Sequence, residues 1–119
     1  MPDIPVSVCE TTLFQRTAAD IMAPNDIEEL INHLACNPEA GDVIPGTGGI
    51  RKIRWRRAGR GKRGGARVIY YYHDETLPLL MLLAYAKSAA ADIIAVQKRR
   101  MAALVSEFVR AHKQRRWKQ

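Results

Sequence analysis

The residues best equipped for chemistry are cations set along strands. In "IRKIRWRR", residues 50–57, apolar and basic residues alternate, so a strand there puts Ile53 and Trp55 on one face and Lys52, Arg54 and Arg56 on the other. Side chains on one face of a strand recur about every 7 Å, near the phosphate repeat of a single-stranded nucleic acid. "ARVIYYYH" reads as the next strand, and antiparallel pairing brings Arg67 beside the same face. Tyr85 and Lys87 share a face of a third strand by its period of two. On the basic side they complete a candidate phosphoryl site of Lys52, Arg54, Arg67, Tyr85 and Lys87.

Such a cluster can cleave RNA without histidine, metal or cofactor. Attack by the neighbouring 2′-hydroxyl needs that hydroxyl deprotonated, the extra charge on the phosphorane stabilised and the leaving 5′-oxygen protonated. A lysine in a positive field can serve as base, and guanidiniums can clamp the phosphate bidentately. His33, His73 and His112 are scattered over a helix, a strand end and a tail, where surface or capping roles account for them.

Between the first two of these strands lies "GRGKRG", Gly59 to Gly64. It matches G-x-G-x-x-G, but a strand follows it instead of a helix, so a dinucleotide site is excluded. A Walker A loop fails too, because Lys62 is followed by Arg63 and not by Ser or Thr. Nine basic residues and no acid lie between Arg51 and Arg67. That favours a charged hairpin loop contacting nucleic acid backbone through Arg57, Arg60, Lys62 and Arg63, with Arg51 and Arg56 at its root, over a turn whose cations only aid solubility.

The charge is distributed unevenly. Residues 1–49 hold Arg16 alone against eight acids, whereas residues 50–119 hold eighteen basic residues against four acids, for an overall +7. A polyanionic partner therefore meets the later part of the chain. Cys9 and Cys36 show no metal-ligand spacing and read as buried, reduced thiols. No apolar run is long enough to span a bilayer and the start lacks signal-peptide character, so the expectation is a cytoplasmic protein that meets no membrane.

The elements that must position the cations follow from periodicity. "VSVCETTLF", residues 6–14, reads as a first strand running into a helical stretch. Asn25 and Glu28 suggest a capping box for a helix ending before Asn37-Pro38, with Asp26, Glu28 and Glu29 in its first turn serving the helix dipole. "NPEAGDVIPGTGG" is turn-rich and leads into the meander, whose third strand, "PLLMLLAYAK", is apolar enough for a central place. Ser88 can cap a last helix, with a basic polar tail fraying from about residue 111. The expectation is one domain over 1–119, α+β, with a small antiparallel (mixed) sheet and helices packed on it.

"GDVIPGTGGIRKIRW", then "GKRGGARVIYYY", then "LLAYAKSAAADI" resembles, in that order, the RelE-like toxins of bacterial type II toxin–antitoxin systems, in particular the HigB branch. The resemblance implies a RelE-like fold and a metal-independent endoribonuclease that enters the ribosomal A site and cuts the messenger being translated. It also implies a cognate helix-turn-helix antitoxin as partner, with operator DNA reached only indirectly through that antitoxin. The family's basic residues on the second strand fall on Lys52 and Arg54, its following arginine on Arg67 and the cation closing the last strand on Lys87. A tyrosine that some members carry just beyond that strand has no counterpart in "SAAADI", and Tyr85 is an imperfect substitute by position. Two other readings stay open: a non-catalytic RNA- or DNA-binding module, and a degenerate toxin that only binds its antitoxin.

Overall fold

Thr11 marks the point at which strand gives way to helix. In the computed structural model, which describes residues 4–56, 65–86 and 92–117, β1 covers only Val8–Glu10 and α1 covers Thr12–Ile21. The Thr11 hydroxyl accepts from the Phe14 N–H at 3.1 Å, a side-chain N-cap, and donates to the Met81 carbonyl at 2.8 Å. Stretch 6–14 is thus largely not strand, and Leu13 and Phe14 belong to α1.

The second helix starts earlier than its capping pattern suggests. α2 spans Pro24–Cys36 with Ala23 at the N-cap and no side-chain cap bond. Proline's fixed φ suits the first helical position, so Asn25 lies inside the helix and caps nothing. The expected end holds: Asn37 donates its backbone N–H to the His33 and Leu34 carbonyls and its Nδ2 to the His33 carbonyl.

β2 (Asp42–Val43), β3 (Ile50–Trp55), β4 (Ala66–Tyr71) and β5 (Leu79–Ala86) complete a mixed sheet of order β1-β5-β4-β3-β2. β3, β4 and β5 form the expected antiparallel meander, and β1 adds a parallel neighbour on the far side of β5. β5 is interior, as its apolar run requires. Its pairing with β4 slips between Ile69↔Leu83 and Tyr70↔Met81, so Leu82 has no partner across the ladder and forms a bulge. Beyond β1, two threonines satisfy this part of β5: Thr11, the N-cap of α1, donates to the Met81 and Leu82 carbonyls, and Thr17 of α1 accepts from the Ala84 N–H.

One sheet face carries the core. Phe14 and Ala18 from α1 and Leu30 and Leu34 from α2 pack with Trp55, Ala66, Val68, Tyr70, Leu79, Met81 and Ala84. This is an α+β fold. The chain divides into two compact units, Met1–Ala89 and Ala90–Gln119. In the second, α3 runs Asp92–Trp117 without a break, so the segment expected to fray from about residue 111 is helical to Trp117. Cys9 and Cys36 are free thiols but exposed: Cys9 alternates with Val8, which packs against the core, and Cys36 is the last residue of α2. Among the described residues, no helix is long and apolar enough to cross a membrane.

Candidate phosphate site

β3 sorts its cations by alternation. Ile53 and Trp55 face the helices, and Lys52 and Arg54 point to the opposite face. Arg54 lies directly across from Arg67, and Arg67 lies directly across from Tyr85, so the three side chains form one row over β3, β4 and β5. Lys52 sits one same-face step along β3, in a row with Ile69 and Leu83. Lys52, Arg54, Arg67 and Tyr85 thus share one face of the sheet.

The electrostatics of the row are unfavourable to the isolated fold. Like charges directly opposite on antiparallel strands repel, and neither Arg54 nor Arg67 forms an ion pair with a described acid. Arg54 is exposed and solvated. Arg67 is only 9 % exposed, and its Nη1 is buried without a hydrogen-bond partner among the described residues. A guanidinium held this way bears a desolvation cost that an incoming anion would offset. Lys52 is exposed and has Asp42 of β2 as its register partner, but no ion pair joins them.

Burial raises the Tyr85 phenol above its ordinary value of 10.0, and the positive charge of Arg67 offsets only part of that rise. Near neutral pH Tyr85 is therefore a protonated hydroxyl, a donor to an oxyanion. At the other end of the same face, the Tyr71 hydroxyl lies 3.0 Å from His73 Nδ1, and His73 Nε2 lies 3.5 Å from the Asp74 carboxylate. Sequence reasoning singled out none of these as a group.

Two expected RNA contacts are engaged elsewhere. Arg51 lies on the helix side of β3, where its Nη1 donates to the Gly41 carbonyl at 2.7 Å and its Nη2 is 3.6 Å from Glu39. Arg56 follows the last residue of β3 and does not continue the Lys52–Arg54 face. Its guanidinium pairs with Glu29 and lies 3.7 Å from Asp26, with its Cζ 5.1 Å from the Trp55 ring centroid. Asp26, in the first turn of α2, and Glu29, which the observed start at Pro24 moves to the second turn, were expected to serve only the helix dipole but hold this cation as well. Arg57, Arg60, Lys62, Arg63 and Lys87 lie outside the described residues, as does Ser88.

An open groove of about 440 Å³ lies away from this row, lined by Met22, Pro24, Ile27 and Ile31 with Glu10 and Glu28 at its edge. Its apolar and acidic lining suits no phosphate. No protein-family model matches the chain.

Proposed function

We propose that the protein is the toxin of a type II toxin–antitoxin system, of the RelE-like kind and the HigB branch, acting as a ribosome-dependent endoribonuclease on messenger RNA. The observation that supports this most is Arg67: a buried guanidinium with a hydrogen-bonding nitrogen left over, flanked in register by Arg54 and a protonated Tyr85. Arg54 and Lys52 hold the scissile phosphate from the exposed side, and Arg67 stabilises the phosphorane. As the 2′-oxygen bonds to phosphorus its proton passes to a water molecule, and the bond from phosphorus to the 5′-oxygen breaks. Tyr85 supplies the proton taken up by that oxygen, leaving a 2′,3′-cyclic phosphate and a 5′-hydroxyl. Lys87 would be a second clamp or donor, and the 57–64 loop a grip on ribosomal RNA. The antitoxin is the cognate partner, and the compartment is the cytoplasm.

Replacing Arg67 by alanine removes the buried charge and leaves the core face untouched, so the variant is expected to fold while its messenger cleavage falls by about 10²–10³-fold and growth arrest disappears. Mapping messenger ends during translation, with thermal unfolding as a control for folding, reads both quantities. An Arg67→Ala chain that is folded and as toxic as the wild type would overturn the assignment. The exposed cations Lys52 and Arg54 also suit a module that binds RNA without cutting it. That reading predicts salt-sensitive binding and no new ends at ribosome-occupied codons.

A further inference from the structure

The second unit carries cations that the sheet site does not use. Arg99, Ala103, Ser106, Arg110 and Lys113 follow one another on α3 at steps of four, three, four and three residues, and all five are exposed. With about 3.6 residues per turn, these steps keep them on one stripe of the helix. Arg110 lies about 16 Å and Lys113 about 21 Å from Arg99 along the axis. The two small residues between the charged ends leave the middle of the stripe low. Glu107 is the single acid of α3 after Asp92, and it lies off the stripe by about a quarter turn. None of the three cations forms an ion pair with a described acid.

We infer that this stripe is a docking surface for the phosphate backbone of double-helical RNA, a contact separate from the sheet row. Charge complementarity favours a polyanion. A rigid helix with cations fixed at both ends of a low, uncharged middle suits a partner whose phosphates are themselves held at fixed separations, as on a duplex read by shape. A membrane surface fits less well. An interfacial helix must offer a broad apolar face to the lipid, whereas Leu104 is the one large apolar side chain among the exposed described residues of α3.

The inference goes beyond the proposed cleavage and can be tested apart from it. The full chain and an Arg99→Gln/Arg110→Gln/Lys113→Gln variant are titrated with a fluorescently labelled RNA duplex over a range of salt concentrations. The variant is expected to bind about tenfold or more weakly, and its slope of log affinity against log salt to be shallower by about 2 to 3. Lysine in place of Arg99 and Arg110, with Lys113 intact, should restore the slope. An unchanged slope, or a loss seen equally with phosphatidylserine vesicles, would overturn the inference. Arg67→Ala should leave the α3 contribution to the slope in place, so failure of the cleavage reading and failure of this one give different results.

Discussion

The buried Tyr70 hydroxyl is used both as acceptor and as donor. It accepts from the Gly41 N–H at 2.8 Å and donates to the Pro38 carbonyl at 2.9 Å, while Arg51 holds the Gly41 carbonyl. Gly41 has no room for a side chain: a Cβ there would lie 2.8 Å from the Tyr70 ring and 2.9 Å from the Lys52 carbonyl. Together these contacts fasten the 37–41 turn to the sheet at the level of Lys52. A Tyr70→Phe chain keeps the ring but strands a buried donor and an acceptor, so urea unfolding should show it less stable by about 1–3 kcal/mol. Part of this was readable beforehand: three successive tyrosines on a strand must alternate, which puts at least one ring in the core. Which hydroxyl would find which carbonyl was not, because Pro38 and Gly41 are about thirty residues away and nothing local marks them as partners.

At the scale of elements, legibility followed period and locality. The meander and the Lys52/Arg54 face were accessible because a six-residue strand repeats its pattern with a period of two. Arg56 escaped that logic by standing one residue past the end of β3, where its partners are set by the approach of α2. β1 was overextended because β-branched residues fit both a strand and an N-cap, and the parallel ladder to β5 that fixes its end is a long-range fact. Thr11 serves both elements, capping α1 and holding the β5 backbone. Thr11→Ala should lower stability by about 1–2 kcal/mol, measured by thermal or urea unfolding, with a Thr11→Ser chain recovering most of the loss.

For the molecule as a whole, all four tyrosines share one tendency. Burial is the largest cause in each, and Tyr70, Tyr71, Tyr72 and Tyr85 are all raised from 10.0. A folded state that keeps its phenol protons after the unfolded chain has released them is favoured in full below about pH 10 and loses that advantage as pH climbs through the folded values. Urea midpoints should therefore fall steeply above about pH 10, and a flat profile there would contradict the burial of these rings. The two-part charge pattern was legible from sequence and places nearly all the cations in the later part of the chain. The phase of β5 was not. Counting by twos from the core residues Leu79 and Met81 would place Tyr85 among the helices. The unpartnered Leu82 shifts the count by one, so Ala84 takes the core face and Tyr85 comes to stand beside Arg67. The number of residues between Met81 and Tyr85 is thus a specification in its own right. A substitution in that segment alters packing, whereas loss or gain of a single residue would exchange the phenol for an alanine methyl at the end of the arginine row.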